Sequence, residues 1–172
     1  MTGQSAARWL GRLGAALLLG GCALLADPSR VAVGTPQAQL RQELGAPTAT
    51  YPAAGGAGER LQYSYQPAGQ RVFNLDLDAQ GRVAQVEQAL NTGLFGQRIQ
   101  PNHWTRQDVL REYGPPARVE AVHNFKGQIW VWRYLEGPTW RLLFIDIDPE
   151  GVVRGWSTGD ENVADGMRAR CR

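Results

Sequence analysis

The sequence has little cysteine, little histidine and no excess of positive charge once its N-terminal segment is set aside. Of its 18 Lys and Arg residues, Arg8 and Arg12 precede Cys22, so the chain from Cys22 onward has 16 basic residues against 16 acidic ones. A nucleic-acid-binding protein of this size normally gathers an excess of basic residues on one face, to follow the phosphates. The sequence therefore predicts no nucleic-acid partner.

Several sequence motifs for catalysis are also missing. The chain has no Cys-x-x-Cys and no phosphate-binding or nucleotide-binding glycine loop. Its two histidines, His103 and His123, lie about twenty residues apart, without the spacing of a metal site. We expect no catalytic residue, cofactor or metal and identify no small-molecule substrate; a hydrolase that uses either histidine is the minority alternative.

The N-terminal segment has the pattern of a secretion signal. Arg8 and Arg12 precede an apolar run over residues 13–21, which is long enough for a signal peptide and too short to cross a bilayer. The run ends in Leu19-Gly20-Gly21-Cys22, which resembles the lipobox of bacterial lipoproteins. The resemblance implies cleavage before Cys22 and acylation of its thiol, which would anchor the chain without spanning the membrane.

The residues after the lipobox bear on the compartment. Ala23 follows the cysteine, where an Asp would resemble the signal for retention in the inner membrane. We therefore expect an outer-membrane location on the periplasmic side. Cys171 is then the one remaining thiol and stands in a terminal segment typical of a frayed tail, where it can pair only between chains or stay free.

The rest of the chain is an internal repeat with a shift of 69 to 70 residues. Each copy opens with a short helix of about three turns. Thr35 and Pro36 begin the first helix, and Thr105 with Asp108 forms a capping-box pair at the second. A Gly followed by Pro ends each helix, at residues 45–47 and 114–116.

Strands follow each helix. Alternating apolar residues predict strands at the segments that match between the copies: 49–51 with 118–122, 61–65 with 130–134, 71–78 with 141–148, and 82–90 with 152–156. We predict an α+β fold of two tandem repeats, each a short helix or helix pair packed on a three- to four-stranded antiparallel sheet. The predicted segments are a signal peptide 1–21, a lipidated tether 22–32, repeats 33–90 and 103–158, a linker 91–102 between them, and a flexible tail 159–172.

Each copy contains an Asp-x-Asp-x-x-Gly stretch that invites comparison with a calcium loop. The match is poor, because Gln80 stands at the fifth ligand position and both copies follow a strand instead of a helix. Asp at the first position and Gly at the fourth are typical of a type I hairpin turn with a left-handed glycine. We therefore interpret Asp78 and Asp148 as turn residues.

Aromatic residues are concentrated in the second copy. Trp130, Trp132 and Tyr134 share one face of a strand, and Tyr63 and Tyr65 occupy the matching face in the first copy. We consider these five residues as a partner-binding surface, because Trp and Tyr often anchor protein interfaces. The alternative is that this face is core. The opposite face of the second copy's strand is also apolar, with Ile129, Val131 and Leu135.

The repeated pattern resembles the SmpA/OmlA, or BamE-like, family of outer-membrane lipoproteins. The resemblance rests on a small residue and Thr before a helix, a Leu-Gly-x-Pro-like close, a Tyr-x-Tyr strand and a Phe-x-Leu-x-Leu-Asp-x-x-Gly hairpin. The order of elements is similar to one unit of the β-lactamase inhibitor fold. The first resemblance implies a binding module whose partner is an outer-membrane assembly or envelope protein; the second implies an inhibitor-like or ligand-binding module that docks a soluble periplasmic protein.

Overall fold

The computed structural model describes residues 27–53 and 56–161. In chain order the elements are the 3-10 turn Pro28–Arg30, α1 Gln37–Glu43, β1 Ala49–Pro52, β2 Glu59–Ser64, β3 Val72–Leu77, β4 Val83–Gln88, α2 Thr92–Arg98, α3 Arg106–Tyr113, β5 Arg118–Glu120, β6 Gln128–Glu136, β7 Thr139–Ile147 and β8 Val153–Asp160. The strands form two four-stranded antiparallel sheets, in the orders β1-β2-β3-β4 and β5-β6-β7-β8. This confirms the predicted α+β class with two repeated sheet units.

The first sheet buries one face against α1. Phe73 and Leu75 of β3 pair with Gln88 and Val86 of β4 and pack with Leu40 of α1 in one core cluster. Period-two alternation places Phe73, Leu75 and Leu77 on this face, as predicted. The helix has only seven residues, so packing on the sheet stabilises it more than its own propensity does.

The start of α1 differs from the prediction. Its N-cap is Pro36, and no side chain caps the helix. The Thr35 hydroxyl instead donates to the carbonyl of Ala32, while the Thr35 carbonyl accepts from the Val83 amide. Thr35 is therefore held beside β4 and is not free to cap. The glycine that ends the helix, Gly45, has the predicted positive φ, 78°.

The second repeat begins with the capping box predicted from the sequence. The Thr105 side chain accepts from the Asp108 amide, and the Asp108 side chain accepts from the Thr105 amide. Gly114 follows α3 with φ 69°. Both α1 and α3 are about two turns long, one turn shorter than expected.

The predicted linker between the repeats contains a helix. Asn91 caps α2 by accepting from the Gly93 amide, and Phe95 at the centre of the helix is fully buried. Its ring lies edge-on to those of Tyr113 and Tyr134. Helix α2 is therefore part of the second repeat's core. Glycines lower the helix propensity of this short segment, so the sequence pattern did not predict a helix here.

The two hairpin turns follow the sequence interpretation. The Gly81 amide donates to the Asp78 carbonyl and the Gly151 amide to the Asp148 carbonyl, and both glycines have positive φ. The Asp78 carboxylate accepts from the Gln80 and Arg82 amides, and the Asp148 carboxylate accepts from the Val152 amide. The hydrogen bond from the Val152 amide is the largest cause of the lowered pKa of Asp148, and the Arg154 side chain contributes. These carboxylates organise turns.

Helix α3 contacts both sheets. Its buried Val109 and Tyr113 belong to a cluster with Trp132 and Leu143 of the second sheet. The carbonyls at its end accept hydrogen bonds from side chains of the first sheet. One short helix therefore joins the two repeats.

Several predictions fall on residues that the structure does not describe. The signal segment, Cys22, Cys171 and most of the predicted tail lie outside 27–53 and 56–161. The predicted domain boundaries stay predictions. Within the described stretches, every helix is too short or too polar to cross a membrane.

Candidate functional site

The structure buries four of the five aromatic residues predicted to bind a partner. Trp132 and Tyr134 are 0% exposed, and Trp130 and Tyr63 are each 7% exposed. A partner could reach these side chains only if the fold opened. The prediction of a partner surface is therefore wrong for these four residues, and the alternative, that their face is core, holds.

Packing explains this burial. Trp132 lies against Tyr113 of α3 with ring centroids 6.0 Å apart, and its indole nitrogen donates to the Gly114 carbonyl. The ring centroids of Tyr134 and Phe95 of α2 are 5.3 Å apart. Helices α2 and α3 thus cover the face that the alternation singled out. Alternation showed which residues share a face, but it could not show what packs on that face.

Tyr65 is the exception, since 39% of it is exposed. It comes directly after β2, and the guanidinium of Arg71 lies 5.4 Å from the centre of its ring. Arg71 also lies 5.5 Å from the ring of Phe73. These distances are typical of cation–π contacts. The role of Tyr65 in partner binding stays a prediction.

The other face of the second sheet is apolar and partly accessible. We define the outer face of this sheet by Ile129 and Leu135 of β6, Phe144 of β7 and Ser157 of β8. Val131, Arg133 and Leu142 share this side of the sheet but are buried. Leu135 is 43% exposed and Ser157 is exposed, while Ile129 and Phe144 are partly buried.

The edge strand of the outer face carries very small side chains. Phe144 pairs with Ser157, and Gly155 and Gly159 lie on either side of Ser157 on the same face. A Cβ atom at Gly159 would lie 3.2 Å from the Phe144 ring, so glycine leaves room for that ring. The outer face therefore presents apolar side chains next to an edge strand whose side chains project little from the sheet.

A polar face of the first sheet receives the end of α3. The Gln62 side-chain amide donates to the Leu110 and Arg111 carbonyls, at 3.3 and 3.1 Å, and to the Asn74 side chain. The Asn74 amide donates to the Glu112 carbonyl at 2.9 Å. The last carbonyls of a helix have no partner within the helix. Two side-chain amides of the first sheet satisfy the Arg111 and Glu112 carbonyls at the end of α3, while the Leu110 carbonyl also accepts from the Gly114 amide and the Tyr51 hydroxyl.

Charged groups surround the same helix end. The Glu112 carboxylate accepts from Arg60 at 2.8 Å and from Arg98 of α2. Arg60 also binds Asp76, and Arg98 also binds Glu87. The hydrogen bond to Asp76 raises the pKa of Arg60 further, with contributions from Glu112. Glu112 therefore links the first sheet, α2 and α3 through charges that are shielded from solvent.

A third set of contacts ties the repeats together at β6. The Gln66 side chain donates to the Arg133 carbonyl at 2.7 Å and accepts from the Arg133 amide. The Arg133 guanidinium donates to the Pro67 and Ala68 carbonyls and pairs with Glu161 at 2.6 Å. Arg133 and Glu161 are nearly fully buried, so this ion pair is part of the interior.

The start of the described chain is clamped onto the first repeat. Arg71 donates to the Asp27 carboxylate at 2.8 Å, and the Ser29 amide donates to it at 3.0 Å. These bonds lower the pKa of Asp27 to about 2. Pro28 is buried beneath this contact. The residues that begin at Asp27 are therefore bound to the first repeat.

The residues considered for catalysis do not converge. His103 and His123 are both exposed. In the part of the chain that the structure describes, no three His, Cys, Asp or Glu residues come together as metal ligands. Residues 155–159 match Gly-x-Ser-x-Gly, but they lie within strand β8 and not at the strand-to-helix turn on which a nucleophilic serine of that motif stands.

Sequence reasoning missed the polar contacts between the repeats. Gln62 and Asn74 interrupt apolar strands, and each lies on the face opposite the α1 core. Polar residues at alternate strand positions are typical of a solvated face. Their burial becomes apparent only when α3 packs on them.

The chain has little similarity to known proteins. No family model and no curated protein matches it. A DUF4309-family protein (YjgB) from Bacillus subtilis matches with 16% identity over 73% of this chain and 78% of its own, with a TM-score of 0.31. A "putative beta-lactamase inhibitor protein" from Streptococcus mutans matches with 15% identity over 79% and 89%, with a TM-score of 0.34. At these values neither similarity assigns a function to this chain, and the SmpA/OmlA resemblance stays a prediction.

Proposed function

We propose that this chain is a lipoprotein anchored in the outer membrane at Cys22 and facing the periplasm. It acts as a non-catalytic protein-binding module in outer-membrane protein assembly or envelope integrity. The anchor is supported by the basic residues, the short apolar run and the Leu-Gly-Gly-Cys ending. The compartment is supported by Ala23 after the cysteine.

One observation carries the binding role: the outer face of the second sheet. Leu135 and Phe144 offer apolar surface. The neighbouring edge strand is flat, because its small residues Gly155, Ser157 and Gly159 project little from the sheet. Burial of apolar area drives most protein association, and a flat surface brings many atoms into contact. We therefore consider this face, and not the face of Trp130, Trp132 and Tyr134, as the binding surface, because those three side chains lie in the core.

A genetic experiment tests the role. We expect deletion of the gene to lower outer-membrane porin levels and to reduce detergent resistance, and the wild-type gene to restore both. Unchanged porin levels and unchanged resistance in the deletion strain would contradict the proposed role.

Two matched variants test the surface. Ser157→Arg places a bulky charge beside Phe144 at an exposed position. Thr50→Arg makes a similar change at an exposed position of β1, in the other sheet. Both should fold, because changes at exposed sites usually alter stability by less than about 0.5 kcal/mol. We expect Thr50→Arg to restore the deletion strain and Ser157→Arg to fail.

Purification of the acylated protein from solubilised envelopes identifies the partner. We expect mass spectrometry to find an outer-membrane assembly or envelope protein with the wild type and with Thr50→Arg, and to lose it with Ser157→Arg. Equal recovery with Ser157→Arg would rule out the outer face. Recovery of a soluble periplasmic enzyme instead would favour the inhibitor-like alternative.

The anchor has its own test. Cys22→Ser removes the thiol that would be acylated. We expect the wild type to incorporate labelled palmitate and to sediment with outer membranes, and Cys22→Ser to do neither. Palmitate incorporation by Cys22→Ser would contradict acylation at this residue.

A further inference from the structure

The fold begins very close to the proposed anchor. Asp27 is held by Arg71, and the buried Pro28 follows it. Only residues 23–26 separate Cys22 from Asp27. The point at which the chain joins the folded unit is therefore fixed on one side of the first repeat.

The length of this connection limits how far the fold can stand from the bilayer. Consecutive residues span at most about 3.6 Å, so Asp27 lies within about 18 Å of the Cys22 Cα atom. A folded unit of this size is roughly 35 Å across. The allowed distance is about half that diameter, so Asp27 cannot lie on the half of the fold that is turned away from the lipid.

The side chains around Asp27 suit such a position. We define the tether-side patch as Asp27, Arg30, Tyr65 and Arg71. Arg71 contacts both Asp27 and the Tyr65 ring, and Arg30 follows Asp27 by one turn, with its amide bonded to the Asp27 carbonyl. Tyr65 is 39% exposed, the Arg71 side chain is 43% exposed, and Arg30 is exposed.

The chemistry of the patch matches a headgroup layer. Tyrosine is enriched at membrane–water interfaces, where its ring lies among headgroups and its hydroxyl stays hydrated. Guanidinium groups bind phosphate oxygens through paired N–H donors. Arg30 and Arg71 together exceed the charge of Asp27 by one positive unit, which fits a surface of lipid phosphates.

We propose that the tether-side patch lies against the lipid surface in which Cys22 is anchored, with the Tyr65 ring at headgroup level and both arginines on lipid phosphates. This inference rests on the proposed acylation of Cys22. It also fixes an orientation, in which residues distant from the patch face away from the membrane.

Spin labels on the acylated protein in phosphatidylcholine vesicles test the orientation. Each label is attached to a single introduced cysteine in a Cys171→Ser background. Ala68→Cys places it on the exposed loop after Tyr65, and Glu150→Cys places it on the exposed turn between β7 and β8. The loop contacts Arg133, near the opposite end of the second sheet from that turn.

Accessibility to oxygen, which concentrates in lipid, is compared with accessibility to a water-soluble nickel complex. We expect the oxygen-to-nickel ratio to be several-fold higher at residue 68 than at residue 150. Equal ratios, on protein that floats with the vesicles, would overturn the orientation and leave the proposed function intact. Protein that does not float would overturn acylation at Cys22 and the inference with it.

Variants of the patch separate a lipid contact from mere proximity. Tyr65→Ala and Arg30→Ala remove exposed groups of the patch, and Arg41→Ala removes an exposed arginine of α1 as the matched control. We expect either patch variant to lower the ratio at residue 68 at least two-fold and Arg41→Ala to leave it unchanged. A ratio unchanged in both patch variants would overturn the assigned contacts.

Discussion

At the scale of single residues, Glu112 connects more elements than its place in a short helix suggests. Its carboxylate binds one arginine of the first sheet and one of α2, and its carbonyl accepts from Asn74. The side chain is 11% exposed, so water screens these charges weakly. Loss of this one charge would leave the largely buried Arg60 and the partly exposed Arg98 with a weaker set of partners.

We therefore expect Glu112→Gln to lower the free energy of unfolding by about 2 kcal/mol, somewhat less than for a fully buried pair. Glu43→Gln, at the exposed end of α1, is the matched control and should change it by less than about 0.5 kcal/mol. Urea denaturation of both variants measures the difference. Equal stability of the two variants would show that Glu112 does not hold the elements together.

Asp27 gives a pH dependence with a definite sign. Arg71 and the Ser29 amide lower the pKa of Asp27 to about 2, against about 3.9 for an unperturbed aspartate. A lowered pKa in the folded state means that the contact stabilises the fold above about pH 4 and is lost as the pH falls through about 2. We expect the carboxyl carbon of Asp27 to titrate near pH 2 by NMR. Arg71→Ala should move this midpoint toward 3.9, and an unchanged midpoint would contradict the contact.

At the scale of elements, the end of α3 depends on a neighbouring sheet. Gln62 donates to the Arg111 carbonyl and to the Asn74 side chain, so Gln62→Leu would remove the donor from both. The Leu110 carbonyl would keep the Gly114 amide and the Tyr51 hydroxyl. An unsatisfied buried group costs about 1–3 kcal/mol, and we expect a loss of stability in that range. Gln85→Leu, at an exposed position of β4, is the control. Retained stability in Gln62→Leu, measured by urea denaturation, would show that α3 needs no such donors.

The elements also show how far the sequence predicts this fold. Alternation and turn residues predicted all eight strands, and the capping box predicted the start of α3, because these features depend on neighbouring residues alone. Helix α2 was missed, since Gly93 and Gly96 weaken its pattern. A Cβ atom at Gly96 would make only an ordinary contact with the Trp156 ring, at 3.6 Å, so the packing does not explain this glycine.

The candidate site was predicted less well, for a related reason. The sequence identified Trp130, Trp132 and Tyr134 as one face but not the helices that cover it. It also indicated the opposite apolar face through Ile129, Val131 and Leu135. The structure buries Val131 completely and leaves Ile129 and Leu135 partly accessible. Residue type selects candidates for binding, whereas accessibility depends on how the repeats pack.

At the scale of the whole molecule, the two repeats share interior contacts. Val72, Ala89 and Leu90 of the first repeat lie in the same core cluster as the tryptophans of the second. Arg133 of β6 bonds to the loop after β2 as well as to Glu161. With α3 between the sheets, separation of the repeats would expose both an apolar surface and unpaired polar groups.

We therefore expect the two repeats to unfold in one cooperative transition instead of one after the other. The described tryptophans all lie in the second repeat, so their emission reports on it, while amide exchange in β2 and β3 reports on the first. Both probes should give the same urea midpoint, because the surface buried between the repeats is lost when either one unfolds. Glu112→Gln should shift the two midpoints together. Loss of protection in β2 and β3 while tryptophan emission stays native would show that the repeats are independent and that the contacts of α3 with the first sheet contribute little.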